Sequence, residues 1–291
     1  MTSKNVIAII CDCDRTLCPD TTESLIRTLG YNEREFWKEV DVLVNDGWDP
    51  PIAYLTQLLK GNYSDPPRRI TRKLLDEVGR KTEFYPGVLD FVERLQGKIN
   101  SNREFKDARI TLELFIITGG IEEILVSSKI RKIAKEIFGC LLNFPEDGTS
   151  DAIKRVVSFT EKTKFVFAIN KGISANELQR KPYKVNDFIK QEERRIPIRH
   201  MIYIGDGPSD IPCFSMIKDY GGNIIGVMPP EDKDLKKPYE LSQGARLTVG
   251  PYTADYRDGT DLYKMLSRIV DGISDKILIK RAESTTPAPT H

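Results

Sequence analysis

Hydrophobic and polar positions alternate between two regimes along this chain. In the first, short unbroken apolar runs stop abruptly at acids or glycines. Val6-Ile7-Ala8-Ile9-Ile10-Cys11 runs into Asp12-Cys13-Asp14-Arg15-Thr16, Phe115-Ile116-Ile117 into Thr118-Gly119-Gly120, and Ile202-Tyr203-Ile204 into Gly205-Asp206-Gly207-Pro208-Ser209-Asp210. Runs rich in β-branched residues, with no alternation, predict strands buried on both faces, as in a parallel sheet. On this pattern strands are expected at 6–11, 110–117, 138–144, twice within 151–170 (the second over 164–169), and at 200–204, 223–228 and 246–249. Helices are expected from Pro86-Gly87-Val88 through Leu95, and over 122–136, 184–194, 211–217 and 261–273, with a surface loop over 97–108 and a turn over 146–150. Strands alternating with helices argue for an α/β, Rossmann-like core with right-handed crossovers.

Residues 18–84 form the second regime. Phe36, Trp37, Val40, Leu43 and Val44 fall at helical spacing, as do Tyr54, Leu55, Leu58 and Leu59, and then Ile70, Leu74, Leu75 and Val78. Asp49-Pro50-Pro51 and Asp65-Pro66-Pro67 punctuate them, proline being tolerated in the first turn of a helix. This predicts an all-helical insertion whose aromatics form a small core of their own. The core domain is then 1–17 with 85–280. The Ser/Thr/Pro-rich end, 281–291, is expected to be a disordered tail.

The strand ends carry the candidate chemistry. A buried unpaired carboxylate costs several kcal/mol or shifts until it is neutral, so Asp12 and Asp14 belong where the first strand leaves the core. At the carboxyl edge of an open α/β sheet, that is where ligands bind. Two acids one residue apart suit a hard cation, which relieves their repulsion.

Composition narrows the partners. Forty per cent apolar residues supply a sizeable core, and a net charge of +1 gives no global field for nucleic acid or an anionic membrane. No apolar run approaches the ~18 residues that span a bilayer, and the N-terminal run is too short for a secretory leader. Five cysteines, an odd count, fit reduced thiols and a cytoplasmic home. Cys11, Cys13 and Cys18 lack a second cysteine pair or a nearby histidine and are read as structural thiols rather than a zinc site. The two histidines, His200 and His291, leave little room for histidine chemistry.

The succession Asp12-Cys13-Asp14-Arg15-Thr16, Thr118-Gly119-Gly120, a lysine, and Gly205-Asp206 followed by Asp210 resembles the haloacid-dehalogenase-like phosphohydrolases over about residues 5 to 250. The Thr-Gly-Gly turn is closest to the Ser-Gly-Gly of the phosphoserine-phosphatase branch, and the helical insertion takes the place of that family's C1 cap. The resemblance implies an Asp12 nucleophile forming an aspartyl-phosphate, with Asp14 as general acid and base. It implies Mg²⁺ held by Asp12, the Asp14 carbonyl and Asp206, with Asp210 in support, and a phosphate held by Thr118 and the Gly119 amide.

The lysine that offsets the shared negative charge is expected at Lys171, ending an apolar run, with Lys181 and Lys184 as alternatives. Arg15 either clamps a second anionic group of the substrate or points to solvent. Asp20 and Thr21 are the nearest counterparts of the glutamate that grips phosphoserine's amine in that branch, which argues against phosphoserine itself. The implied activity is Mg²⁺-dependent hydrolysis of a small phosphorylated metabolite. A phosphotransferase using the same intermediate and an idle binding protein are the alternatives. Oligomeric state is left open.

Overall fold

The computed structural model describes residues 4–61, 68–232 and 247–285. The Pro66-Pro67 punctuation, Arg246 of the expected last strand, and residues 286–291 of the expected tail lie outside them.

Seven strands form one sheet in the order β4-β3-β2-β1-β5-β6-β7. They are β1 (Val6–Cys11), β2 (Thr111–Ile121), β3 (Ala134–Asn143), β4 (Ala152–Arg155), β5 (Met201–Gly205), β6 (Asn223–Met228) and β7 (Val249–Thr253). All neighbours pair in parallel except β4, which runs antiparallel to β3 at one edge. β1 lies between β2 and β5, with Ile9 opposite both Leu114 and Ile202. Chain order reverses across β1, so this is the switch point of the sheet, and the carboxyl ends of the three strands open on one edge.

The pleat sends alternate residues into two cores. Ala8, Ile10, Phe115, Ile117 and Tyr203 join one, and Ile7, Ile9, Cys11, Ile116 and Ile204 the other. On the second face lie α5 (Phe91–Ser101), α6 (Arg103–Asp107) and the closing helix α11 (Asp261–Thr285). The first face carries α7 (Glu122–Val126), α8 (Glu161–Lys171), α9 (Ala175–Arg180) and α10 (Ile211–Asp219). It also receives the helical insertion: α1 (Thr21–Leu29), α2 (Glu33–Asn45), α3 (Pro50–Lys60) and α4 (Arg72–Lys81). α1, not anticipated from spacing, is started by Asp20, whose side chain accepts from Glu23 N at 3.0 Å. Phe36, Val40, Tyr54, Leu55 and Leu58 are continuous with the sheet-face core instead of forming a separate one. The insertion is thus anchored on the core by shared apolar burial.

Five expectations are corrected. The stretch 164–169 is the middle of helix α8, not a strand. The expected helix over 122–136 is short: α7 ends at Val126, a 3₁₀ turn follows over Lys129–Lys132, and the chain enters β3 from Ala134. Residues 97–108 are helical on either side of Asn102, which caps α6 through its side chain. Residues 184–194 lack an apolar face to bury and form a 3₁₀ turn at Pro182–Asn186, followed by irregular chain. The closing helix reaches Thr285, so residues 281–285 of the expected tail are helical.

Candidate active site at the carboxyl edge of the sheet

Asp12 is the first residue past β1, and its amide continues the ladder by donating to Ile204 O at 2.9 Å. Its side chain is almost fully buried, with Oδ1 accepting from Cys13 N at 2.7 Å and Oδ2 from Lys162 Nζ at 2.8 Å. Lys162 opens α8 and is itself 1% exposed. Its ammonium also donates to Asp210 Oδ1 at 2.8 Å and to Ser209 Oγ at 3.2 Å, which uses all three of its protons. Tyr203 Oη adds a bond to Asp210 Oδ1 at 2.9 Å. A Cβ on Gly205 would come within 2.4 Å of Asp210 Oδ2, so only glycine ends β5 with that carboxylate behind it. Buried charges survive when paired and hydrogen-bonded, and this pair is both.

Asp206 follows β5 and accepts from Arg15 Nε at 3.2 Å and from Thr16 Oγ1 at 3.4 Å. Oxygens of Asp12, Asp206 and Asp210 lie within 4.8 Å of one another. Three convergent carboxylates are a donor set for a hard divalent cation such as Mg²⁺. Burial pushes the Asp12 carboxyl up to about 7; Lys162 opposes the shift, while Asp210 and Asp206 add to it. Burial and Asp210 raise Asp206 to about 6 against the pull of Arg15. Burial alone would lower the Lys162 ammonium, but Asp12 and Asp210 outweigh it and hold it protonated.

Asp14 stands beside this cluster. Its Oδ1 accepts from Thr21 N at 2.8 Å, and its Oδ2 lies 2.9 Å from where a Cβ on Gly120 would be. Thr118 Oγ1 is 3.3 Å from that same point and accepts from Gly120 N at 2.9 Å. The absent side chain at Gly120 therefore brings Asp14 and Thr118 together, and the threonine's own proton is left to donate elsewhere. Burial, with Asp20 nearby, pushes the Asp14 carboxyl well up against the Thr21 hydrogen bonds. A carboxyl that keeps its proton near neutrality is what a general acid requires. The Gly119 carbonyl accepts from Tyr54 Oη at 2.6 Å and from Cys140 Sγ at 3.2 Å, so α3 of the insertion grips this turn directly.

Of the residues expected from sequence, Asp12, Asp206 and Asp210 converge, while Asp14, Thr118 and Gly119 share the neighbouring turn. Lys171 does not join them. Its ammonium bonds the carbonyls of Val185 and Asp187 at 2.5 and 2.8 Å, about 13 Å along α8 from Lys162. Lys184 pairs with Glu177. The lysine at the cluster is Lys162, masked in the sequence because the run 164–169 beside it also fits a strand. Its signal was there: Lys162, Phe165, Val166 and Ile169 fall on one helical face that ends at Gly172, in the left-handed region at φ 78°. Arg15 is partly exposed, with its guanidinium turned onto two carboxylates. From a left-handed backbone (φ 61°) it bridges Asp206 and Asp232, the latter at 2.6 Å.

No family model matches the chain. An uncharacterized protein of Borreliella burgdorferi is 24% identical over 289 residues, 90% of this chain and 96% of that protein. Among solved structures, a phosphoserine phosphatase with an analogue of its phospho-aspartyl intermediate superposes with a TM-score of 0.54 at 14% identity, covering 91% of this chain and 99% of that one. A phosphoserine phosphohydrolase-like protein of Francisella tularensis gives 0.51 at 16%, over 90% and 99%. A haloacid-dehalogenase-family hydrolase of Salmonella enterica serovar Typhi gives 0.51 at 16%; this chain spans 62% of that protein's length, with 77% of its own covered.

Proposed function

Taking the haloacid-dehalogenase-like fold of the phosphoserine-phosphatase branch as premise, we propose that this chain is a Mg²⁺-dependent phosphomonoesterase. It acts on a small phosphorylated metabolite through an aspartyl-phosphate on Asp12. The observation that carries the reading is the buried Lys162 ammonium, shared by Asp12 and Asp210 beside Asp206 at the switch point of the sheet. A carboxylate held by a fixed cation at a ligand-binding edge is oriented for attack.

In the first half-reaction an Asp12 carboxylate oxygen forms a bond to phosphorus as the ester P–O bond breaks, and Asp14 gives its proton to the departing alkoxide. In the second, Asp14 takes a proton from water as the water oxygen attacks phosphorus, releasing phosphate and restoring Asp12. Lys162 offsets the charge spread over the Asp12 oxygen and the equatorial phosphoryl oxygens. The Thr118 hydroxyl and the Gly119 amide hold those oxygens in place. Asp12, Asp206 and the Asp14 carbonyl would hold Mg²⁺, with Asp210 fixed behind them; when bound, the ion supplies Lewis-acid stabilisation of the phosphoryl oxygens. The helices within 18–84 serve as the C1 cap that selects the substrate, with the Tyr54 bond to Gly119 as their point of contact with the site.

Hydrolysis of an aryl phosphate should therefore require Mg²⁺ and stop with chelator; turnover in excess chelator would refute the metal assignment. The same ion should act on stability with a defined pH dependence. Asp12 and Asp206 have folded values of about 7 and 6, above the ordinary carboxylate range. The stability they contribute is present below about pH 4 and is lost as pH rises through 6 to 7. A divalent ion binds the deprotonated form and restores it. Mg²⁺ should thus raise Tm clearly at about pH 8 and little at about pH 5; equal shifts at both would contradict this account.

Asp14→Asn should slow turnover by about 10²–10⁴-fold, the range of general acid–base assistance. With an aryl phosphate, whose leaving group needs little protonation, the first half-reaction continues while water attack lacks its base. The phosphoenzyme should then accumulate as a phosphate-sized mass increase on the peptide containing Asp12. Label on another residue would rule out the scheme.

A further inference from the structure

A second group of ligating atoms stands beside the carboxylate cluster. Cys13 and Cys18 place their sulfurs 3.5 Å apart, and with an Asp14 carboxylate oxygen they form a set whose atoms all lie within 4.8 Å of one another. Backbone hydrogen bonds fix the arrangement. Cys13 O accepts from Thr16 N at 3.2 Å, Leu17 N at 2.7 Å and Cys18 N at 3.3 Å, while Arg15 N donates to Cys18 O at 2.7 Å. None of the mechanistic steps uses either thiol.

The sulfur separation excludes a disulfide and leaves the pair close to the spacing that a shared ion needs. Disulfide sulfurs are about 2.0 Å apart. Two thiolates on a tetrahedral Zn²⁺-type ion, each about 2.3 Å from it, are about 3.8 Å apart. The observed 3.5 Å is a thiol–thiol hydrogen bond, far from the first distance and only a few tenths of an ångström short of the second. Two sulfurs and one oxygen are also a softer donor set than the all-carboxylate cluster, so the two groups favour different ions.

We propose that Cys13, Cys18 and Asp14 bind a thiophilic divalent cation of the zinc and cadmium type, separately from Mg²⁺, and that its binding withdraws Asp14 from catalysis. Both cysteines are fully buried whereas Asp14 is partly exposed, so the ion enters past Asp14. Two metal–sulfur bonds form as two thiol protons pass to solvent, the Asp14 carboxyl adds a metal–oxygen bond as its own proton follows them, and a water fills the fourth position; no oxidant takes part. The inhibitory half rests on the function proposed above, because a carboxylate held by metal cannot shuttle a proton. The binding half does not.

The test uses the full chain with saturating Mg²⁺ and a phosphine reductant, titrated with Cd²⁺ while the ultraviolet sulfur-to-cadmium charge-transfer band is followed. About one equivalent should bind with a Kd of about 1 μM or lower, and Cys13→Ser and Cys18→Ser should each weaken this by about 100-fold or more. Cys213→Ser, at a buried thiol on α10, should leave it unchanged. No band in wild-type protein, or a band that survives in both Cys13→Ser and Cys18→Ser, overturns the site. Circular dichroism establishes that the variants are folded, and Cys18→Ala provides a second probe of the same position. With cadmium bound, aryl phosphate hydrolysis should fall by more than about 10-fold, the low end of what a lost acid–base group costs, and Cys18→Ser should resist that loss. Binding without inhibition would overturn the inhibitory half. A wild-type protein that never hydrolyses the ester would overturn the proposed function, while the band alone still decides the site.

Discussion

Asp12→Asn should abolish turnover, with a fall of at least about 10⁴-fold, since nucleophile replacements commonly cost more than that. The substitution is nearly isosteric, yet it removes three things together: the attacking oxygen, one carboxylate of the cation cluster, and the negative partner of Lys162 at 2.8 Å. No phosphate should be trapped on the protein under any condition, which separates this variant from Asp14→Asn, where trapping is expected. Mg²⁺ should bind more weakly, read as a smaller Tm shift at about pH 8. The protein should remain folded, because Lys162 keeps Asp210 and Ser209 as partners. Wild-type turnover, or labelled phosphate recovered from the variant, would remove Asp12 from the centre of the mechanism.

Lys162→Met should lower turnover and stability together. Removing one preorganised group that stabilises transition-state charge costs about 10²–10³-fold in kcat. A structural cost comes with it. Asp12 and Asp210 would face each other with no cation between them, and breaking a buried pair by deleting one partner costs about 3–5 kcal/mol. The two effects separate by pH and by metal. The stability loss should shrink in acid, where Asp12 takes up a proton, and should shrink with Mg²⁺, whereas the loss in kcat should persist at saturating Mg²⁺. If Lys162→Met does not fold, Lys162→Gln keeps hydrogen bonds to the carboxylates without the charge and should show the same kcat loss. Lys171→Met is the control, since the Lys171 ammonium bonds the carbonyls of Val185 and Asp187, away from the cluster, and the change should leave kcat within about 3-fold of wild type, as surface substitutions do. A folded Lys162 variant with normal kcat would leave the carboxylate pairing as a structural device only.

The acids of the site were readable because each strand that delivers one is buried on both faces and stops where its polar residue begins. Periodicity could not fail at β1 or β5: every residue there is apolar until the chain leaves the sheet. Lys162 is harder to read for the converse reason. α8 carries its apolar residues consecutively from Phe165 to Ile169, with the polar ones at its two ends, so that run looks the same in a helix and in a strand. A lysine on the apolar face of a helix also contradicts ordinary burial preferences, and only the two facing carboxylates explain it. The partners of Arg15 and Tyr54 lie far away along the chain, at Asp232 and Gly119, and no local pattern encodes such distant pairs.

The division of β1 between two cores also limits how a gene for this protein can drift. Ala8 and Ile10 face one core and Ile7, Ile9 and Cys11 the other, so Asp12 continues the first series, on the side of α8 and Lys162. Exchanging one aliphatic for another along β1 changes volume but not parity. Deleting a single codon between Ile7 and Asp12 would move every later side chain to the opposite face and turn the aspartate away from its lysine. Deleting two would restore the face but retract the aspartate by about 6.6 Å. Volume-conserving aliphatic exchanges are therefore tolerated here far better than insertions and deletions. Length variation is pushed past the strand end, into the region where the chain already carries four additional helices.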